Sequence, residues 1–146
     1  MNILFVCTGN TCRSPMAEAI LKAKQLPGVE VKSAGIFALE GSALSAHTYE
    51  VLKENAIKFR HAAKNLSEEL VDWADYIFTM TNGHKEAVAG RFPRAQNKTF
   101  TLLEFADGIG GDVVDPYGGS LQIYRATYGQ LDGLINRLIE KLKLGN

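Results

Sequence analysis

Short apolar segments alternate along the chain with longer segments in which apolar residues recur every three or four positions. The short segments, interpreted as strands, are residues 3–6, 29–33, 76–80 and 98–102. The first is continuously apolar, which is typical of a strand buried on both faces. Strands that alternate with helices indicate a parallel α/β sheet. We expect a single doubly wound domain over residues 1–146, in which four parallel strands in the order 2-1-3-4 are flanked by helices on both faces.

The predicted helices have recognisable start and stop signals. The first opens at Ser14-Pro15, where Ser14 can cap it and Pro15 suits the first helical position, and it stops before Pro27-Gly28. Further helices are predicted over residues 45–55, 65–72 (entered through Ser67) and 82–90. A long final helix is capped by Ser120 and ends at Gly145. Its apolar stripe consists of Tyr124, Tyr128, Leu131, Leu134, Ile135, Leu138 and Leu142.

The turn after the first strand has the composition of an anion-binding loop. The segment CTGNTCRS, residues 7–14, places Cys7 and Arg13 six positions apart between a strand and a helix. Free amides and the positive dipole at a helix start bind anions. Gly9 and Asn10 tolerate positive φ and allow the amides to curl inward. Arg13 can bind two phosphate oxygens, and the same field favours a nucleophilic thiolate at Cys7.

A cysteine and an arginine at this spacing also occur by chance, as a buried structural cysteine and a surface arginine. The placement after an apolar strand and before Ser-Pro and a helix favours the functional interpretation. The loop is not a Walker phosphate loop, because the G-K-[ST] element is absent.

The segment VCTGNTCRSPMAEA, residues 6–19, resembles the low-molecular-weight protein tyrosine phosphatase family. The resemblance runs along the whole chain and includes Ser33-Ala34-Gly35, His61, Asp75-Tyr76-Ile77 and Asp115-Pro116-Tyr117. It implies that Cys7 attacks phosphorus and forms a phosphocysteine, and that Arg13 stabilises the equatorial oxygens. It further implies that Asp115 protonates the leaving group and then activates water.

The resemblance assigns supporting roles to other residues. The phosphate is expected to contact Thr8, Gly9, Asn10, Thr11, Cys12 and Ser14. The hydroxyl of Ser14 is expected to bond the Cys7 thiolate, and Asn10, Ser33 and His61 to brace the loop; capping is an equal alternative for Ser33 and His61. No metal or cofactor is implied, because Arg13 and the helix dipole supply positive charge. His47 and His84 have no ligand spacing and are predicted to lie on the surface.

Two departures from the tyrosine-specific pattern bear on the substrate. Thr11 stands where tyrosine-specific members usually carry a bulky aliphatic residue, and Tyr117 is followed by Gly118-Gly119 instead of a second aromatic. Both features resemble the protein-arginine phosphatase branch of Gram-positive bacteria. The resemblance implies phosphoarginine as substrate, with phosphotyrosine as the alternative.

A guanidinium substrate would need polar and flat surroundings. The hydroxyl of Thr11 can bind or orient the guanidinium or a water molecule, and Phe37 and Tyr117 can flank the arginine stem and plane. Four carboxylates follow Lys98 with no basic residue before Arg125, and they would suit a cationic side chain: Glu104, Asp107, Asp112 and Asp115. For the first three, an ordinary solvated loop is the alternative that we favour.

The chain has two cysteines, and both lie in the loop. On oxidation Cys12 can form a reversible disulfide with Cys7; the alternative is a small buried residue that packs the loop. Arsenate reduction on the same fold passes oxidation along further cysteines, which this chain lacks. A catalytically idle phosphoprotein-binding or redox-sensing module is disfavoured because Cys7, Arg13 and Asp115 are all present.

Composition narrows the remaining possibilities. Sixteen basic residues balance sixteen acidic ones, so a general nucleic-acid binder is disfavoured. Two cysteines cannot staple a secreted framework, and the N-terminus has no basic segment before its apolar run. We therefore expect a cytoplasmic monomer that acts on phosphorylated proteins and binds neither nucleic acid nor membrane.

Overall fold

The computed structural model describes residues 1–146. Its strands are β1 (Asn2–Cys7), β2 (Glu30–Gly35), β3 (Tyr76–Thr79) and β4 (Thr99–Thr101). Its helices are α1 (Arg13–Ala23), α2 (Ala46–Glu54), α3 (Glu68–Trp73), α4 (Asn82–Arg91), α5 (Leu102–Asp107) and α6 (Leu121–Leu142), with a 3₁₀ helix at Pro93–Lys98. None of the helices combines the length and the apolar composition that crossing a membrane requires.

The four strands form one parallel sheet in the order β2-β1-β3-β4, as predicted. Alternate residues of the central strand β1 serve the two faces, because side chains along a strand point to opposite sides. Ile3 and Phe5 pack with α1, α2, α5 and α6 on one face. Leu4 and Val6 pack with α3, α4 and the 3₁₀ helix on the other. This double coverage explains the continuous apolar run that begins the chain.

The apolar stripe of α6 packs against the first face. Tyr124, Leu131, Leu134, Ile135 and Leu138 are buried, whereas Tyr128 and Leu142 are partly buried at its edge. The Ser120 and Ser67 caps are confirmed by side-chain hydrogen bonds from the backbone N–H groups of Ile123 and Leu70.

Several predicted boundaries were wrong. Helix α6 ends at Leu142, where Lys143 adopts a left-handed conformation, so Gly145 is not its terminus. Strand β2 begins at Glu30 and not at Val29, and β4 is shorter than predicted. The short helix α5 follows β4 directly and was not predicted. Its N-cap is Thr101, whose side chain accepts from the backbone N–H of Glu104. The sequence pattern does not indicate this cap, because Thr101 lies within the segment predicted as a strand.

Helix α1 begins two residues earlier than predicted, at Arg13 and not at Pro15. Cys12 is the N-cap residue, without a side-chain capping bond, and Arg13 is the first helical residue. The hydroxyl of Ser14 therefore does not cap the helix. It lies 2.9 Å from Cys7 Sγ, where the loop turns back over the end of β1.

Candidate active site

A cavity of about 250 Å³ lies at the carboxyl end of β1. Its lining residues are Cys7, Thr8, Gly9, Thr11, Cys12, Arg13, Asp115 and Tyr117. Ligands of open parallel sheets bind in this position, beyond the carboxyl ends of the strands. The sheet order places the cavity where β1 lies between β2 and β3. The structure thus brings Asp115 beside a cysteine more than a hundred positions earlier in the sequence.

The loop between β1 and α1 presents its backbone amides to this cavity. None of the backbone N–H groups of residues 8–12 donates a hydrogen bond to another group of the protein. A run of free amides at the start of a helix is an anion-binding arrangement. Asn10, the non-glycine residue with φ of 57° in this loop, makes the inward curl possible.

The side chain of Asn10 fixes the loop from behind. It is fully buried, and its Nδ2 donates to Ser14 Oγ at 2.8 Å and to Ser33 Oγ at 2.9 Å. Its Oδ1 accepts from the backbone N–H of Lys64 at 3.0 Å. All hydrogen-bonding groups of the amide are thereby used, and the left-handed backbone is held by partners from three segments.

The direction of these bonds orients the Ser14 hydroxyl. Because Ser14 Oγ accepts from Asn10, its own hydrogen can point at Cys7 Sγ, 2.9 Å away, or at the Ala34 carbonyl oxygen, 3.4 Å away; the shorter distance favours the sulfur. A thiolate is stabilised by such a donor. Ser33 in turn donates to Glu18 Oε1 at 2.6 Å, and Glu18 forms an ion pair with Lys22. A buried polar chain therefore runs from the cysteine to a carboxylate on α1.

His61 holds the loop from another side. Its Nε2–H donates to the carbonyl oxygen of Asn10 at 2.6 Å, and its ring stacks on Phe59. Burial lowers the pKa of His61, an effect that its hydrogen bond to Asn10 opposes.

Gly35 at the end of β2 permits the loop to approach the sheet. A Cβ at this position would lie 2.5 Å from the carbonyl oxygen of Thr8 and 3.1 Å from the Asn10 nitrogen. Real Cβ atoms essentially never approach other atoms as closely as the first distance. The segment Ser33-Ala34-Gly35 carries part of the family resemblance, and the close approach of the loop is the physical reason for its glycine.

Arg13 joins the loop to the segment between α5 and α6, residues 108–120, which we call the acid loop. The guanidinium is buried; its Nη1 donates to the Val113 carbonyl at 3.0 Å, and its Nη2 lies 3.5 Å from Asp115 Oδ2. The other oxygen of Asp115 accepts from the backbone N–H of Tyr117 at 3.1 Å. The turn at Asp115-Pro116 thus also places the Asp115 carboxylate in the cavity wall.

Anchors on both sides hold the acid loop in place. Val113 is fully buried, and its N–H donates to the carbonyl of Met80, the residue that follows β3. Asp112 Oδ1 accepts from the backbone N–H of Asn82 at 2.8 Å, in the first turn of α4. These contacts anchor the segment just before Asp115 to the end of the sheet and to α4.

The remaining acidic residues do not line the cavity. Glu104 pairs with Lys85 at 2.7 Å, Asp107 pairs with Arg137, and Asp112 bonds to α4. Asp115 alone of the four lines the cavity, but the solvated loop favoured for the other three was wrong for Glu104 and Asp107, which lie on helix α5.

Phe37 does not join the cavity lining. Its ring is exposed, and the guanidinium of Arg91 lies 5.2 Å from the ring centre. Its backbone N–H donates to the Thr8 carbonyl, so the residue braces the loop through its main chain. Tyr117, in contrast, lines the cavity and is 80% exposed, so that its side chain is available to a ligand.

The second cysteine has polar neighbours of its own. Cys12 Sγ donates to Ser45 Oγ at 3.3 Å and lies 3.4 Å from the Tyr124 hydroxyl. Burial, and the hydrogen bond with Cys12, raise the pKa of Tyr124 to about 12. Both cysteines are free and buried.

The prediction for His84 was wrong, whereas His47 is exposed as expected. His84 is buried, and its Nε2 lies 2.8 Å from Thr8 Oγ1 in the cavity wall. No sequence spacing indicates this contact, because the two residues lie 76 positions apart.

Comparison with known proteins agrees with this geometry. The profile of the family described as "Low molecular weight phosphotyrosine protein phosphatase" matches residues 2–145. The chain belongs to this family. A protein-arginine-phosphatase of Geobacillus stearothermophilus is 57% identical over 141 residues, which cover 97% of this chain and 95% of the relative. A protein-arginine-phosphatase of Bacillus subtilis is 45% identical, with 98% and 97% covered.

Among solved structures of this phosphatase family, one is a cysteine-to-serine variant of the YwlE arginine phosphatase with a phosphorylated active-site serine. It superposes with a TM-score of 0.95 at 45% identity and covers 98% of this chain and 96% of its own. The expected family resemblance and the fold are therefore confirmed.

Proposed function

We propose that this chain is a protein-arginine phosphatase that hydrolyses phosphoarginine residues of phosphorylated proteins through a phosphocysteine intermediate. The observation that carries the proposal is the convergence of Cys7, Arg13 and Asp115 on one cavity whose floor consists of unpaired amides. The names of the relatives at 57% and 45% identity support the choice of substrate.

In the first step the Cys7 thiolate attacks phosphorus. The sulfur–phosphorus bond forms as the phosphorus–nitrogen bond breaks, and Asp115 in its acid form gives its proton to the departing guanidine nitrogen. Arg13 and the loop amides bind the equatorial oxygens, whose negative charge must be stabilised in the transition state. Arg13 and Asp115 line the same cavity, with Nη2 and Oδ2 3.5 Å apart, so both can reach one bound phosphoryl group and its leaving nitrogen.

In the second step the Asp115 carboxylate takes a proton from a water molecule as the water oxygen attacks phosphorus. The sulfur–phosphorus bond breaks, inorganic phosphate leaves, and Cys7 returns as a thiolate. Ser14 stabilises that leaving thiolate with its hydroxyl hydrogen, which Asn10 directs toward the sulfur.

Two side chains at the cavity mouth support a guanidinium leaving group. Thr11 gives the wall a hydroxyl, and Tyr117 offers one exposed aromatic face, against which a guanidinium plane can stack. The acid loop turns at Gly118-Gly119 instead of continuing with a second ring. Phosphotyrosine is the alternative substrate, supported by the family description.

The direct test compares two synthetic peptides of identical sequence, one with phosphoarginine and one with phosphotyrosine at the same position. We expect a larger kcat/KM for phosphate release from the phosphoarginine peptide than from the phosphotyrosine peptide. We expect no phosphate release from either peptide with Cys7→Ser. A larger kcat/KM for the phosphotyrosine peptide would establish the alternative. Binding without turnover by the unaltered protein would point to an idle phosphoprotein-binding module.

We further infer that the chain acts in the cytoplasm as a monomer and one domain, without metal, cofactor, nucleic acid or membrane. The balanced charge supports the exclusion of nucleic acid. Light scattering across a hundredfold concentration range and activity in the presence of chelator test the monomer and the metal-free reaction.

A further inference from the structure

A buried histidine contacts the phosphate-binding loop but has no part in the mechanism above. His84 lies in the first turn of α4, three residues after the cap Thr81, and is 8% exposed. Its Nε2 lies 2.8 Å from Thr8 Oγ1. Its Nδ1 is buried and has no hydrogen-bond partner, the one side-chain nitrogen or oxygen of the protein in that condition.

The unpartnered Nδ1 decides where the ring carries its proton. A buried N–H without an acceptor is rare and costly, and a bare lone pair is the less costly of the two unsatisfied groups. The positive start of α4 and the nearby Arg13 disfavour a second proton on the ring. Burial, and then Arg13, lower the pKa of His84 to about 4, although the carboxylates of Asp112 and Asp115 act in the opposite direction. The ring is therefore neutral near pH 7, with its hydrogen on Nε2.

This protonation state sets the direction of the Thr8 hydroxyl. Because Nε2–H donates to Thr8 Oγ1, the hydroxyl hydrogen cannot point at His84 and must turn elsewhere. Thr8 lines the cavity together with Cys7 and Arg13. Thr8 Oγ1 makes no hydrogen bond other than the one with His84, so no acceptor of the protein claims this hydrogen.

We propose that His84 is a positioning residue of the active site, which turns the Thr8 hydroxyl into an additional donor to the phosphoryl oxygens. The proposal rests on the proposed function only in that the cavity must bind a phosphoryl group. Inorganic phosphate has no leaving group, so its binding tests this hydroxyl independently of the choice between phosphoarginine and phosphotyrosine.

The experiment is a double-mutant cycle with Thr8→Val, His84→Leu and the two combined. The measurements are inhibition by inorganic phosphate and kcat/KM with p-nitrophenyl phosphate. We expect each single variant to weaken phosphate binding about tenfold, as for the loss of one hydrogen bond to a charged group. We expect the double variant to be no weaker than the weaker single variant, because His84 acts only through the Thr8 hydroxyl, which Thr8→Val already removes.

Conservative variants and a matched control separate positioning from folding. Thr8→Ser and His84→Gln retain the required hydrogen-bonding atoms, and we expect phosphate affinity within about twofold of the unaltered protein. Val88→Ala is the control, since Val88 is buried on the same helix and has no hydrogen bond to the loop. It should lower the melting temperature and leave phosphate affinity unchanged.

Three results would overturn the proposal. One is a phosphate affinity of Thr8→Val equal to that of the unaltered protein. This result can be obtained even if His84→Leu fails to fold, because Thr8 is exposed and its replacement does not disturb the core. Another is full additivity of the two losses. The third is a ¹⁵N spectrum that places the ring hydrogen of His84 on Nδ1. Failure of phosphoarginine turnover, with the cycle as expected, would contradict the proposed substrate and leave this inference intact.

Discussion

Arg13 Nη2 lies 3.5 Å from Asp115 Oδ2, although the arginine side chain is 4% exposed and the carboxylate 55% exposed. The pair joins the phosphate-binding loop to the acid loop across the cavity. The buried partner is fixed by the Val113 carbonyl, and the exposed partner is held by the Tyr117 N–H. A phosphoryl group would thus meet a rigid cation and a solvent-accessible carboxylate that can exchange protons.

Replacing the proposed acid tests this relationship. Asp115→Asn keeps the shape and the turn but removes the transferable proton. We expect kcat with a phosphoarginine peptide to fall about 10²- to 10⁴-fold, the usual contribution of general acid–base catalysis. Asp107→Asn, in an ion pair with Arg137 outside the cavity, is the matched control and should retain full activity. Equal kcat values for the two variants would contradict the role of Asp115.

Thr11 is expected to set the preference between phosphorylated residues. Thr11→Ile removes the hydroxyl of the cavity wall and adds bulk, so we expect the ratio of kcat/KM for phosphoarginine over phosphotyrosine to fall at least about tenfold. Thr11→Val removes the hydroxyl with little change in volume and shows whether polarity alone accounts for the effect. An unchanged ratio in Thr11→Ile would refute the argument from this residue.

Asn10 combines a left-handed backbone with three side-chain hydrogen bonds, and two variants separate these contributions. Both Asn10→Gly and Asn10→Ala lose the bonds to Ser14, Ser33 and Lys64. Alanine also has to adopt positive φ, so we expect it to be less stable than the glycine variant by about 0.5–1 kcal/mol in urea unfolding. Both should lower kcat, because the Ser14 hydrogen is no longer directed at Cys7. A more stable alanine variant would contradict the strain assigned to this position.

Cys12 is tested through recovery from oxidation. Peroxide converts the Cys7 thiolate to a sulfenic acid, which the Cys12 thiol can attack to form a disulfide with release of water. We expect thiols to restore the activity of the peroxide-treated unaltered protein. We expect no such recovery of activity for Cys12→Ser. Full recovery of that variant would leave Cys12 with the packing role that its contacts with Ser45 and Tyr124 also allow.

Stability is expected to decrease in mild acid. Burial lowers the pKa of His61 and lowers that of His84 to about 4, whereas an unfolded histidine titrates near 6.5. The unfolded chain therefore binds more protons between these values, and stability present above pH 6.5 is lost as the pH falls toward 4. We expect His84→Gln to lose less stability than the unaltered protein between pH 7 and pH 4.5 in urea unfolding. Parallel losses would show that His84 does not contribute.

Much of the site could be predicted because its residues are adjacent in sequence. Cys7, Gly9, Asn10 and Arg13 belong to one loop, and a short loop between a buried strand and a helix leaves few conformations. The fold could be predicted from continuous and periodic apolar segments. Helices cover both faces of a parallel sheet, so each strand needs apolar residues at successive positions. The wrong cap at Ser14 shows the limit, because a local capping preference gave way to a bond with Cys7.

The sequence by itself determined the parallel α/β sheet, the anion-binding turn and the two cysteines within it, because each depends on neighbours along the chain. The tertiary structure decided which distant groups complete the site. Asp115 meets Arg13, His84 meets Thr8, and Gly35 admits the loop against β2 because strand order and packing bring their segments together. It also places the Phe37 ring beside Arg91 and outside the cavity wall that the sequence predicted for it. Such contacts depend on distances of a few ångströms between segments far apart in the chain, which no local pattern encodes.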